Sequence, residues 1–278
     1  SNKNKKNYLL INDLGYSIIE PFRKKYPDRI FNAGVSEQNM MGMAAGIASE
    51  NCNVFVYSIA NFSTFRCAEQ IRNDVDYHKL PVTIVSVGSG VGYGNLGYTH
   101  HALQDYALMR SFPNMQILSP GNNNELIALL NYIKKNPQPS YLRLDKTEHE
   151  KVEFKKIPVS SGSIVKLIDG NKKKILLTTG SIQNLAKNIK LKKYKNYSLY
   201  SMPIWGMKAK NKVKNMIRKF DEIITVEDHF YDGGFGSWLK ECINDTNIKT
   251  KIKSKCISPE VINEVGSSEY LLKKYGPK

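Results

Sequence analysis

Apolar positions in this chain fall in short runs. Residues 30–33, 54–59, 82–87, 115–119 and 141–144 are each too brief for a helix and mostly rich in β-branched residues, so they predict buried strands. The segments between them are long enough for helices, and alternation at this spacing predicts a mostly parallel sheet covered on both faces. From Asp145 to Ser163 the periodicity disappears and charge gathers together with Pro158 and Gly162, the composition of a linker. Beyond it, strands at 174–179, 197–201 and 222–227 alternate with helices near 182–191, 208–220 and 236–244. The expected fold class is therefore α/β in two domains, each a mostly parallel sheet covered by helices, with a boundary near residue 155.

Length and composition fit that division. At 278 residues and 41% apolar content the chain is long enough for two domains of ordinary size. No apolar stretch approaches the roughly 20 residues that cross a bilayer, and the lysine-rich arm Ser1 to Asn7 has no apolar core of a secretion signal. A cytoplasmic protein without membrane contact is expected. The four cysteines, Cys52, Cys67, Cys242 and Cys256, are scattered and form no CxxC pair, so neither a disulfide framework nor a metal site is indicated. Net charge is +16, but the lysines lie in separate clusters (the N-terminal arm, 151–156, 172–174 and 187–219) mixed with Asn and Ile. A solvated basic face is expected, not a nucleic-acid stripe with interleaved aromatics.

One acid stands out. In Gly34-Val-Ser-Glu37-Gln-Asn-Met40, followed by the small-residue run 42–48, Ser36 is placed as the N-cap of a helix and Glu37 lies in its first turn, at the mouth of the strand 30–33. A first-turn acid ordinarily complements the helix dipole. Further along come Tyr57-Ser-Ile-Ala-Asn-Phe62-Ser-Thr-Phe65-Arg66, Glu69-Gln-Ile-Arg72-Asn and Gly97-Tyr-Thr-His100-His101.

In that order these segments resemble the pyrimidine-binding half of transketolases. Asp105-Tyr-Ala-Leu-Met-Arg110, Pro113-Asn-Met115 and Val226-Glu-Asp-His229 through Gly233-Gly234 fit the same family, so the resemblance covers nearly the whole chain. It implies a pyrimidine-binding domain over 1–155, a transketolase C-terminal-like domain over 156–278, and thiamine diphosphate as cofactor. Glu37 matches the acid that shares a proton with the cofactor's aminopyrimidine nitrogen, a role in which a positioned group contributes about 10²–10⁴ in rate. Phe62 matches the stacking aromatic, with Phe65 as the alternative partner; Ile59 falls on the first aromatic of the family's Phe-x-x-Phe pattern, and Arg66 completes the implied cofactor-binding set. His100 matches the histidine that faces the reacting substrate and can donate to a developing oxyanion.

Departures from the family pattern carry information too. The chain lacks the Gly-Asp-Gly element with a downstream Asn that holds a divalent metal, so the resemblance implies that Mg2+ or Ca2+ and the diphosphate belong to an N-terminal partner subunit. A dimer of heterodimers with an interfacial active site is implied in turn. Gly88 and Leu96 stand where transketolases carry a histidine and an acid that contact the sugar. A family arginine for the terminal phosphate falls on Lys146, with Arg143 as a possible replacement; lysine supplies charge without the bidentate fork. The implied activity is transfer of a two-carbon ketol unit between sugars or sugar phosphates. Alternatives are a deoxyxylulose-phosphate synthase-like enzyme, a 2-oxo-acid dehydrogenase beta subunit, or a non-catalytic basic interaction module. The Gly92-x-Gly94-x-x-Gly97 pattern is read as a substrate-lining loop and not as a dinucleotide fingerprint, because the following strand ends without a ribose-binding acid. His101 receives no role, and His78, His149 and His229 are expected to be structural or solvated.

Overall fold

The computed structural model describes residues 6–146 and 155–278. Its N-terminal half begins with β1 (Asn7–Ile11), α1 (Glu20–Lys25), β2 (Ile30–Asn32), α2 (Glu37–Ser49) and β3 (Asn53–Ile59). Two short helices, α3 (Ala60–Thr64) and α4 (Ala68–Gln70), lead to β4 (Val82–Val87), and α5 (Asp105–Met109), β5 (Gln116–Leu118), α6 (Asn123–Lys135) and β6 (Ser140–Leu144) follow. The C-terminal half holds β7 (Val165–Ile168), β8 (Asn171–Thr178), α7 (Gln183–Lys193), β9 (Tyr197–Ser201), β10 (Ile204–Trp205) and α8 (Lys210–Ile217). It ends with β11 (Glu222–Val226), α9 (Phe235–Glu241), β12 (Lys251–Lys255) and α10 (Ser268–Tyr275).

These strands form two sheets, in the orders β10-β5-β6-β4-β3-β1-β2 and β12-β11-β8-β9-β7. Both are parallel apart from β10 in the first and β7 in the second, so the expected α/β class holds with one antiparallel strand added to each. Every predicted strand is present to within a few residues, but four strands are absent from the predicted set. The first, β1, pairs with β2 on one side and β3 on the other, directly after the lysine-rich arm. The others, β7, β10 and β12, lie at sheet edges; β7 and β12 are partly exposed there and their apolar runs shrink accordingly, whereas β10 is buried but only two residues long.

A two-residue strand helps to join the halves. Ile204 and Trp205 of β10 pair antiparallel with Leu118 and Ile117, so the C-terminal half supplies an edge to the N-terminal sheet. Trp205 is fully buried, with ring centroids 5.0 Å from Tyr106, 5.1 Å from Phe235 and 5.0 Å from Trp238. Burying a large apolar side chain stabilises by about 1.5–3 kcal/mol, and here that gain depends on both halves being in place. One apolar cluster accordingly runs from Leu10, Val56 and Ile84 through Trp205 to Ile175 and Trp238. Part of the expected linker, residues 147–154, lies outside the described residues. No described helix is long and apolar enough to cross a membrane.

Candidate active site

Glu37 is the first residue of α2 and is 5% exposed. Its position is set by the turn out of β2. The Asn12 side-chain amide donates to the Gly34 carbonyl at 2.8 Å, while Asn32 Oδ1 accepts from the backbone N–H of Gly34 at 3.0 Å and of Asp13 at 2.9 Å. Gly34 has φ +70° and no atom within 4 Å of an added Cβ, so glycine is needed there for backbone conformation and not for space. Ser36 holds the N-cap position, yet its hydroxyl donates back to the Ala33 carbonyl at 2.6 Å and does not cap the helix. Buried Met40, Met41, Ala44, Ala45 and Ala48 hold α2 to the sheet.

Facing Glu37 is the segment that begins at the end of β3. Phe62 lies on α3 and is half-buried; Ile59, the last residue of β3, is buried, and Phe65 is 47% exposed. Arg66 connects the acid to the aromatic. Its Nη1 donates to Glu37 Oε1 at 3.0 Å, and its guanidinium carbon stands 3.9 Å from the centroid of the Phe62 ring. Beneath them, burial, aided by the Glu37 carboxylate, pushes the Cys67 thiol up to about 12, so this side chain is a neutral packing group and not a nucleophile. A cleft of about 610 Å³ opens beside the pair, lined by Val35 to Asn39 and Arg66.

His100 joins the cluster from the glycine-rich loop. Its ring meets Phe62 edge-on at 5.1 Å and Tyr93 at 6.3 Å, and its Nδ1 lies 2.9 Å from Thr99 Oγ1. Asn61, beside Phe62 on α3, donates to the carbonyls of Thr99 at 3.1 Å and His101 at 2.8 Å, which ties the loop to the helix. The loop itself rests on the C-terminal segment: Gly266 N donates to Gly94 O, and a Cβ on Gly94 would stand 2.5 Å from Gly266 O. The glycines therefore serve close backbone packing.

Tyr93 is the site neighbour that sequence analysis misses. An added Cβ on Gly88, which has φ +91°, would lie 2.2 Å from Tyr93 Cδ2, so the ring packs directly on the glycine backbone. Burial raises the phenols of Tyr93 and Tyr57, the latter also through Tyr93, so both keep their protons at neutral pH. Lys146 is exposed and places its Nζ 4.9 Å from the Tyr93 ring centroid. The signal available in the sequence was Gly88 itself, since a missing side chain leaves space for another.

Arg143 does not belong to this strip, which corrects the expected substrate-binding role. It is 1% exposed and points every nitrogen at a protein acceptor. Its Nε donates to Asp105 Oδ2 at 2.6 Å, Nη1 to Asp228 Oδ1 at 2.6 Å and Nη2 to the Ala102 carbonyl at 2.7 Å. Tyr141 donates to Asp105 as well, at 2.6 Å, and burial holds this phenol far above its ordinary range. A guanidinium with all its donors engaged has none for a phosphate. His229 is fully buried, stacks on Tyr106 and is kept neutral by burial, His101 is likewise buried and held neutral, and His78 is exposed; His149 lies outside the described residues. Among the described residues no group of three or more His, Cys, Asp or Glu is arranged to hold a metal ion.

Comparison with known proteins bears on this arrangement. Residues 12–151 match the family described as transketolase, pyrimidine binding domain. A putative transketolase C-terminal section from Methanocaldococcus jannaschii is 33% identical over 260 residues, covering 92% of this chain and 81% of that protein. An apulose-4-phosphate transketolase subunit from Actinobacillus succinogenes is 29% identical over 93% of this chain and 84% of its own length. The 1-deoxy-D-xylulose-5-phosphate synthase of Halothermothrix orenii is 33% identical over 82% of this chain but only 36% of its own. Among solved structures, a split-gene transketolase described as an inactive beta4 tetramer superposes with a TM-score of 0.80 at 27% identity, over 98% of this chain and 88% of that one.

Proposed function

Since this chain belongs to the transketolase family, we propose that it is the C-terminal subunit of a two-chain transketolase, moving a two-carbon ketol unit from a ketose donor to an aldose acceptor. The single observation that carries the reading is the slot between Glu37 and Phe62. There a planar nitrogen-bearing group, the Arg66 guanidinium, stacks on the aromatic ring while donating to the buried carboxylate. An aminopyrimidine asks for the same two things, an in-plane carboxylate and an aromatic face, the latter worth about 0.5–1.5 kcal/mol beyond burial. The residues present therefore fit the ring end of thiamine diphosphate. When bound, that cofactor supplies the nucleophilic carbon that carries the two-carbon fragment between sugars.

The roles of the chain's own residues follow from position. Glu37 exchanges a proton with the ring nitrogen in a site largely shielded from water. Phe62 gives the stacking face, and Ile59 and Phe65 bound the slot. His100, edge-on to Phe62, donates a hydrogen bond to oxygen that gains negative charge during the reaction. Lys146, near Tyr93, offers a charge to an anionic substrate group.

The diphosphate and its Mg2+ or Ca2+ are assigned to a partner subunit, and the working assembly to a dimer of heterodimers. A split-gene relative whose beta4 form is described as inactive, and a relative named as one subunit of a transketolase, support that division. The pyrimidine-binding domain is assigned to 1–155, the C-terminal-like domain to 156–278, and the location to the cytoplasm.

The test is reconstitution. The chain is co-purified with a diphosphate-binding partner, and ketol transfer is screened over ketose donors, phosphorylated and free. Glu37→Gln should lower turnover of the complex by about 10²–10⁴ without preventing assembly. Wild-type rates in that variant would overturn the reading, and so would transfer by the chain alone with cofactor and magnesium. Steeply salt-dependent polyanion binding with no partner would favour a non-catalytic module instead.

A further inference from the structure

The slot that defines the site is filled by a side chain of the same polypeptide. Arg66 satisfies both contacts at once, Glu37 Oε1 at 3.0 Å and the face of Phe62 at 3.9 Å. A guanidinium is flat and cationic and donates in its own plane, so it presents to the acid and to the ring much of what a protonated aminopyrimidine presents. Two planar groups cannot share one stacking position over Phe62. The anchor is a half-exposed side chain, 47% accessible against 6% for the Glu37 side chain. It can therefore swing into the adjoining cleft of about 610 Å³ with no part of the core rearranged.

We propose that Arg66 is a resident competitor for the aminopyrimidine slot: its guanidinium occupies the Glu37–Phe62 gap in the free chain and must be displaced before a heterocyclic ring can enter. The exchange is balanced in kind. A carboxylate this buried is costly without a donor, and it has one in both end states, the guanidinium before the exchange and the ring after it. The device lowers affinity for any ring that brings no second anchor, so a cofactor held by a partner at its diphosphate end displaces Arg66 where a bare pyrimidine does not. This inference rests on the reading of Glu37 and Phe62 given above.

The experiment titrates thiamine, which lacks the diphosphate, into the isolated full-length chain by calorimetry. Wild type is compared with Arg66→Ala, with Arg66→Met, which keeps much of the arginine stem, and with Arg66→Ala/Glu37→Gln. Both single variants should bind about tenfold more tightly, the factor expected if the filled slot outweighs the open one about ten to one. The double variant should lose the gain. Millimolar guanidinium should compete with thiamine in Arg66→Ala and leave wild type unchanged. Equal or weaker binding by both single variants overturns the proposal. If the reconstituted complex still binds thiamine diphosphate in a Glu37-dependent way, that failure leaves the proposed function standing. If neither chain nor complex binds cofactor at all, both fall.

Discussion

Asn61 and His101 are joined across forty positions of sequence by a 2.8 Å hydrogen bond from the Asn61 side-chain amide to the His101 carbonyl, and the same amide reaches the Thr99 carbonyl at 3.1 Å. The residue between those carbonyls is His100, and the residue after Asn61 is Phe62. One amide group therefore sets the distance between the stacking aromatic and the histidine that faces it.

Replacing Asn61 with Ala removes both bonds, each worth about 0.5–1.5 kcal/mol net, and frees the loop that carries His100. Turnover of the reconstituted complex should fall about tenfold, while cofactor affinity stays near wild type because Glu37 and Phe62 are untouched. Steady-state kinetics alongside a cofactor titration separate the two quantities. Unchanged turnover would show that something else positions His100.

Arg143 and Lys146 differ by three residues and should behave as opposites. Arg143→Met breaks a buried network with Asp105 and Asp228, for which a loss of about 3–5 kcal/mol in unfolding free energy is the ordinary scale. Lys146→Ala touches an exposed side chain and should leave the melting temperature alone while raising KM several-fold for phosphorylated donors only. Denaturant unfolding and a paired donor assay check both expectations.

Gly88 and Tyr93 make a steric pair. Gly88→Ala should destabilise by about 1–3 kcal/mol, because the new methyl would meet the Tyr93 ring at 2.2 Å and the backbone sits at φ +91°. In Gly88→Ala/Tyr93→Ala the clash disappears and the backbone strain remains, so stability should recover only in part. Full recovery would mean that the conformational cost at position 88 is negligible.

Local order explains what could be read without coordinates. The strands β3, β4 and β11 are largely apolar or β-branched runs because neighbours lie on both sides of each, and burial writes itself into composition. Edge strands such as β7 and β12 carry charges on the solvent side, and β10 is only two residues long, so no period could reveal them. At the site, Glu37, Phe62 and His100 were recognisable as motif positions, and the structure gathers them around one slot. The contacts between motifs were not recognisable. That Arg66 reaches Glu37, that Tyr93 lies on Gly88 and that Arg143 turns inward depend on side-chain direction across chain segments, which spacing along one segment does not encode. Arg143 shows the difference most plainly: three residues before Lys146, it could stand in for the family's phosphate-binding arginine until Asp105 and Asp228 are seen around it.

Glu227 gives a pH dependence with a definite sign. It follows the last residue of β11 and is fully buried; its carboxylate accepts from the backbone N–H of Phe235 at 2.6 Å and of Gly236 at 3.0 Å, at the start of α9, and from Thr225 Oγ1 at 3.1 Å. Burial outweighs these donors and pushes the carboxyl up to about 7 from an ordinary 4.5. Between those values the unfolded chain has released the proton and the folded chain retains it, so folding takes up a proton and stability declines as pH rises. The contribution is complete below about pH 4.5 and gone once pH has passed through about 7, a span worth about 3 kcal/mol. Glu227→Gln removes the titration, so wild type should lose stability relative to the variant as pH is raised from 5 to 8, whatever the amide costs at any single pH. Parallel pH profiles for the two proteins would show that the backbone donors of α9 hold this carboxylate ionised throughout.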